Sequence, residues 1–359
     1  MNKRKRIQRN RSIAASLVIL SLSVVCYPTT RIQQDSESKK NLAVESPLSL
    51  EHVLWWLPED TETVSVARGP FKVVATPPEL SERISPAEYV DLALSQMSLG
   101  NLGITEGAFL KQFIGCTVSL CVEGSRRFRP PTSLGSMRFE GCSITILKQD
   151  FTERTKLLSQ MASHAKRLHN LEGHRVAEFE EKLEQDIWKV FVAMPTPTVL
   201  LCATDQAFLT QVLIRMHQKA LNRALPEALF EWEHVDTSAK FWSLRHYDKA
   251  QAQYDPTSPL SGRQLAANWP DTGAVGIVFN FDPARSRVAA VRYFSRNQEG
   301  LKSFADDMKK ASYPGQDFKP QFNEPNPQII EMTVSLDENE QAGIFLFVLL
   351  MLFGHGVYV

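Results

Sequence analysis

A pattern recurs three times along this chain: residues typical of a strand, a short polar step, and then residues spaced as on an amphipathic helix. The first copy, CSITILKQDFTERTKLLSQMASHAKRL, has Asp150 at the polar step. The second, TVLLCATDQAFLTQVLIRMHQKAL, has Asp205 there, and the third, RVAAVRYFSRNQEGLKSFADDMKK, has Asn297. Short oxygen-bearing side chains cap helices by accepting hydrogen bonds from the first turn. The three residues therefore predict helix starts and need no catalytic role.

Tight polar turns precede two of these helices. WKVFVAMPTPTVLLCAT turns at Pro195 to Pro197, and AVGIVFNFDPARSRVAAVRYF turns around Asp282 to Ser286, so both segments predict hairpins. Strand-strand-helix units with short connections favour an antiparallel sheet with helices on one face. We therefore predict an α+β fold of this kind, preceded by an N-terminal apolar helix and compatible with a divergent duplication.

The N-terminal helix is predicted from an apolar stretch, RSIAASLVILSLSVVCYPTT, which follows a cluster of cations. Six basic residues and no acid lie before residue 12, as in the n-region of an export signal. The uncharged run would reach about 23 Å as a helix, which suits a signal or a short anchor. The bulky residues around Cys26 argue against cleavage, so we favour a retained anchor; cleavage and lipidation at Cys26 stay open.

These features divide the chain into four parts. Residues 1–27 are a signal or signal-anchor segment, and residues 28–50 are a polar tether without periodicity. Residues 51–341 form the α+β extracytoplasmic domain, and residues 342–359 are an apolar C-terminal segment. The loop at 251–273, rich in proline and glycine, suits equally a functional loop and a boundary between subdomains.

The C-terminal segment AGIFLFVLLMLFGHGVYV raises the question of a second membrane span. As a helix it is marginally long enough to cross a bilayer, at about 27 Å. Acidic residues precede it and no cation follows it, which is unfavourable for a span. We therefore expect a buried terminal element and keep a second span as the alternative.

Charge and cysteine content narrow the function. Without the six N-terminal cations, 34 basic residues face 40 acidic ones, an acidic balance that argues against a nucleic-acid partner. Four cysteines remain in the presumed oxidising compartment, and their spacing matches neither a zinc knuckle nor a redox motif. We expect buried apolar thiols or structural bridges at four positions: Cys116, Cys121, Cys142 and Cys202.

The sequence supports no catalytic, cofactor or metal site. His164, His169 and His174 are spaced by five, so on a helix they would not share a face. The acid-rich run HRVAEFEEKLEQD is typical of a solvated helix or edge strand. The motifs of nucleophile elbows, zinc proteases, P-loops and dinucleotide folds are missing.

Two functions remain. The first is a membrane-anchored, extracytoplasmic module without enzymatic activity that binds a protein partner or helps an assembly. The alternative is an envelope hydrolase of an unrecognised family with its site near the 251–273 loop. A buried cluster of His246, Asp248 and a serine would favour the hydrolase, and an apolar groove or a flat sheet face would favour binding.

Overall fold

The computed structural model is dominated by one antiparallel sheet, in which the described residues form twelve strands. The structure describes residues 49–69, 118–127, 139–147, 159, 162–183, 186–218, 222–248, 274–282, 285–286, 288–295, 298–299, 301–302, 305–306 and 320–335. The N-terminal 48 residues, the loop at 251–273 and residues 342–359 lie outside this part, as do the predictions made for them. No helix among the described residues has the length and apolarity to span a bilayer.

Three helical segments have defined bounds: α1 (Leu50–Trp56), α2 (Gln206–His217) and a 3-10 helix (Phe230–His234). The strands, in chain order, are β1 (Thr63–Arg68), β2 (Val118–Arg127), β3 (Phe139–Leu147), β4 (Arg167–Leu171), β5 (His174–Leu183), β6 (Asp186–Thr196), β7 (Val199–Ala203), β8 (Phe241–Asp248), β9 (Ala274–Phe281), β10 (Val288–Ser295), β11 (Gln321–Asn326) and β12 (Ile329–Ser335).

The strand order is β11-β12-β10-β9-β8-β1-β2-β3-β7-β6-β5-β4, with β1 and β8 adjacent near the middle. On each side of this pair the chain follows the same path. The chain first forms three neighbouring strands. It then crosses to the outer edge of the sheet, and the strands that follow fill the gap until the last one pairs with the third. The first side does so with β1-β2-β3 and then β4 to β7, and the second with β8-β9-β10 and then β11 and β12.

The predicted α+β fold of strand-strand-helix units is wrong, because the described chain is mostly sheet. The first predicted helix was to run to Leu168, but β4 begins at Arg167. The acid-rich run after it is β5, which pairs with β4 and β6 and buries Glu178. Buried polar residues hide the apolar-polar alternation of a strand and leave a spacing that resembles a solvated helix.

The turn and cap predictions that fall on described residues are confirmed, whereas the caps predicted at Asp150 and Asn297 lie outside the described residues. β6 and β7 form a hairpin whose turn begins at Pro197, the last residue of the predicted Pro195 to Pro197 turn. β9 and β10 form the other, where the Arg285 N–H donates to the Asp282 carbonyl. Asp205 caps α2 by accepting a 2.7 Å hydrogen bond from the Phe208 N–H. The Asp205 cap thus starts α2 where the sequence predicts.

The two faces of the sheet differ in chemistry. One face is apolar and packs against α1 and α2, as shown by a core that joins Val66, Ile144 and Leu201 to Leu54 and Leu213. On the opposite face the register aligns small or polar buried residues across five adjacent strands: Ser243, Ser65, Glu123, Ser143 and Cys202. We refer to the first as the helical face.

Candidate functional site

Ionisable side chains gather at one end of the helical face. The register places His246 of β8 beside Gly276 of β9, and Arg126 of β2 beside Glu140 of β3. Glu62, just before β1, lies between these pairs: its carbonyl accepts from the His246 N–H and its N–H donates to the Ser125 carbonyl, each at 2.9 Å. We call His246, Glu62, Arg126 and Glu140 the ionic row. Because neighbouring strands lie about 4.8 Å apart, these residues form one continuous charged border.

A carboxylate–histidine pair occupies one end of the ionic row. Glu231 of the 3-10 helix is only 4% exposed, and its Oε1 lies 2.7 Å from Nδ1 of His246. Since a carboxylate only accepts, Nδ1 carries the proton in this contact. The carboxylate lies directly over Gly276, where an added Cβ would collide with Oε1, Cγ and Cδ of Glu231. A glycine at this point of β9 is therefore what makes room for the pair.

The 3-10 helix that carries Glu231 is held firmly. The indole of Trp232 packs edge-on against Trp242, with ring centroids 5.7 Å apart, and its Nε1 donates to the Leu225 and Pro226 carbonyls. The guanidinium of Arg223 lies over the same indole, 4.9 Å from its centroid. The neighbouring Glu231 carboxylate is thus positioned by packing and not only by His246.

Arg126 forms the other strong feature of the ionic row. Its Nε donates to Glu140 at 2.7 Å and its Nη1 donates to both oxygens of Asp60, at 2.8 and 2.6 Å. The guanidinium also lies over the Phe208 ring of α2. Burial lowers the pKa of Arg126, but the bonds to Glu140 and Asp60 outweigh it, and the pKa is raised overall. Arg126 therefore stays cationic and fixes Asp60 at the surface.

An open cleft of about 470 Å³ lies next to Asp60. Its lining residues are Pro58, Glu59, Asp60, Gln211, Ile214 and Arg215. The guanidinium of Arg215 donates to the Trp55 and Asn222 carbonyls, and burial lowers its pKa. The Trp55 carbonyl thus lies next to a lining residue, and the Trp55 side chain is partly exposed. Of the two acids at the mouth, Asp60 is paired with Arg126, whereas Glu59 accepts a hydrogen bond from the Asn222 amide.

The charge at this end of the molecule is negative. Across the cleft, the ionic row and the 3-10 helix, six carboxylates accompany two guanidiniums: Glu59, Asp60, Glu62, Glu140, Glu231 and Glu233 against Arg126 and Arg215. Such an excess attracts cations and steers positively charged partners.

A second charged cluster lies towards the β4 edge. Glu178, 2% exposed, accepts hydrogen bonds from Nε2 of His169 at 2.5 Å and from Nζ of Lys189 at 2.8 Å. Burial raises the pKa of Glu178, but these two bonds outweigh it and hold the pKa below its ordinary value. The charge of Glu178 is thus balanced by His169 and Lys189 within the cluster, which is typical of a structural ion pair.

The histidines expected on a helix lie in and just before the β4–β5 hairpin. His169 and His174 point to different partners, since His169 bonds to Glu178 and His174 to His217 at the end of α2. Within the described residues there is no group of three or more His, Cys, Asp or Glu side chains that could hold a metal.

The cluster that would favour a hydrolase is not assembled in the described part of the chain. His246 is oriented by Glu231, and no described serine bonds to it. Arg245 points to the other face and donates to Oγ1 of Thr63, while the side chain of Asp248 lies outside the described residues. The role of Glu231 depends on Gly276, 45 positions further along the sequence, and no local pattern signals it.

Three of the four cysteines expected in the exported domain are buried thiols: Cys121, Cys142 and Cys202. Burial raises the pKa of Cys121 to about 12 and raises the pKa of the other two as well. All three are free thiols in the structure, and burial disfavours their thiolate forms. Cys116 lies outside the described residues.

Comparison with known proteins identifies no relative: no family model, no curated protein and no solved structure matches this chain.

Proposed function

We propose that this chain is a membrane-anchored, extracytoplasmic binding module without enzymatic activity, and that it binds a cationic segment of a protein partner at the acidic end of the helical face. The observation that carries the proposal is the open cleft with Glu59 and Asp60 at its mouth, whose lining guanidinium, Arg215, donates to backbone carbonyls. The membrane-anchored, extracytoplasmic location in this proposal rests on the predicted signal-anchor and tether.

The cleft suits a basic side chain flanked by apolar ones. Glu59 and Asp60 offer carboxylate oxygens at the mouth, while Pro58 and Ile214 offer apolar contact. The partly exposed Trp55 adjoins the lining residue Arg215, which donates to its carbonyl. A lysine or arginine entering between these groups would form charge-assisted hydrogen bonds. Exposed aromatic residues beside a polar rim are also common at binding interfaces.

A panel of otherwise identical nonapeptides with a central Lys, Arg, Gln or Glu tests the site. We expect the full chain to bind the Lys and Arg peptides more tightly, with binding that weakens as salt rises. The double substitution E59Q/D60N should weaken binding about tenfold. E324Q, which removes an exposed acid from the distant strand β11, is the matched control. Equal affinity for all four peptides would contradict the proposal.

Location is tested separately by fractionation and protease protection of a C-terminally tagged chain. We expect the chain in the membrane fraction, with the 51–341 domain accessible only from the extracytoplasmic side. A chain found in the cytosol would refute the location without bearing on the peptide result.

The hydrolase remains the second candidate because of one observation, the buried Glu231 that contacts Nδ1 of His246 and leaves its Nε2 outside this bond. That arrangement can serve as a general base when a nucleophile or water lies within reach. Hydrolysis of p-nitrophenyl esters that is lost in H246Q but retained in H52Q would favour the hydrolase over the binding module.

A further inference from the structure

Two histidines from distant elements meet at the surface. Nε2 of His174, at the start of β5, lies 2.8 Å from Nε2 of His217, in the last turn of α2. Their ring centroids are 5.1 Å apart and their planes differ by only 7°. This contact joins the tip of the β4–β5 hairpin to the helix.

The geometry is that of one linear hydrogen bond. The distance from an imidazole centroid to its Nε2 is about 1.1 Å, so two rings that face each other head-on across 2.8 Å have centroids about 5.1 Å apart. The two nitrogens therefore point at each other and share one hydrogen. Two imidazoles that ligate one metal ion would instead direct their lone pairs to a common point between them.

The hydrogen bond tolerates one added proton but not two. In the neutral pair one Nε2 donates and the other accepts. Protonating the donor ring at its Nδ1 keeps the bond and makes it charge-assisted. Protonating the acceptor nitrogen removes the lone pair and sets two imidazolium rings against each other.

His174 is the ring that resists the second proton. Burial and the nearby His217 lower the pKa of His174. The other charged groups nearby are Glu172 and Arg175, its neighbours on the hairpin, and Arg215 on α2, whose guanidinium is engaged by the Trp55 and Asn222 carbonyls. None of these three contributes to the shift of the His174 pKa. The protonation equilibrium of the contact therefore depends on the two imidazoles themselves.

We propose that the His174–His217 contact is an acid-sensitive clasp, which holds the β4–β5 hairpin tip on α2 at neutral pH and releases it when both rings are protonated. The sign follows from linkage. A histidine whose pKa is lower in the folded state contributes stability above its unfolded-state pKa, about 6.5, and loses it as the pH falls through the folded-state value. A domain outside the cytosol would be exposed directly to changes in the external pH.

Hydrogen exchange of the full chain, followed by mass spectrometry in the presence of EDTA, tests the clasp. After correction for intrinsic chemistry, we expect peptides covering 171–176 and 212–218 to lose about three- to tenfold in protection between about pH 7.5 and about pH 5.5. The β8–β9 ladder should not change. H52Q, which removes another exposed histidine, should keep this response.

The variants H174Q and H217Q should each abolish the pH response while leaving protection elsewhere intact. An equal response in wild type and in both variants would overturn the proposal. Stabilisation of the wild type by Zn²⁺ in the absence of EDTA, lost in both variants, would also overturn it in favour of a metal site.

Discussion

Gly276 is the residue at which a single methyl group has the largest expected effect on the candidate site. Its missing Cβ leaves the space that the Glu231 carboxylate fills, so the substitution G276A forces that buried side chain to move. We expect a loss of about 1–3 kcal/mol in the free energy of unfolding, as measured by urea denaturation.

The double substitution G276A/E231A provides the control. Alanine at position 231 removes the crowded atoms, so the combined loss should be smaller than the sum of the two single losses. Additive losses would show that Gly276 and Glu231 do not share the space.

Glu178 is expected to give the molecule a specific dependence on acid. Its pKa lies below the ordinary value of 4.5, so the stability it contributes is fully present above that pH and is lost as the pH falls through the folded-state pKa. The substitution E178Q should cost about 1–2 kcal/mol at neutral pH and progressively less towards about pH 3. Urea denaturation across this range measures the difference, and a constant difference would contradict the assignment.

At the level of residues, local chemistry was predictable and distant chemistry was not. Asp205 was identified because a helix cap depends on three neighbouring residues. Glu231 and Glu178 owe their roles to partners on other strands, and their burial cannot be inferred from their own surroundings in the chain.

The turn between β4 and β5 contains a residue that is unfavourable for its backbone conformation. Glu172 and Gly173 both have positive φ, at 51° and 79°, which is the conformation of a two-residue type I′ turn. A glutamate tolerates this region poorly, whereas asparagine favours it. The substitution E172N should therefore raise the free energy of unfolding by about 0.5–1 kcal/mol near pH 8, above the pH range in which the proposed clasp responds.

The matched control for this turn is E172A. Alanine removes the same charge but keeps the unfavourable conformation, so it should give no gain. Equal stabilisation by both substitutions would attribute the effect to charge.

Elements with turn and cap signals were recovered from the sequence, whereas elements built around buried polar residues were not. The β6–β7 and β9–β10 hairpins follow from proline and aspartate at their turns. β5 buries Glu178 between the buried apolar residues Ala177 and Phe179, so its run of acids does not show the apolar-polar alternation of a strand. β4 has no fully buried residue, and its first residues were included in the first predicted helix.

At the scale of the whole molecule, the buried strands keep the thiols of Cys121, Cys142 and Cys202 away from solvent. In a chain with Cys26 and Cys116 replaced by serine, we expect no reaction with an aromatic disulfide reagent in the native state. On denaturation three thiols should react, those of Cys121, Cys142 and Cys202. Rapid modification of the native protein would contradict the burial of these strands.

The position of β1 also determines how the molecule bears mechanical load. The chain enters the sheet at its middle, where β1 is bonded on one side to β2 and on the other to β8. A pull on the N-terminus along the strand acts on both ladders at once in shear, so their hydrogen bonds resist together. A tension transmitted through the residues before β1 would therefore load two hydrogen-bonded ladders together before it could peel either outer edge.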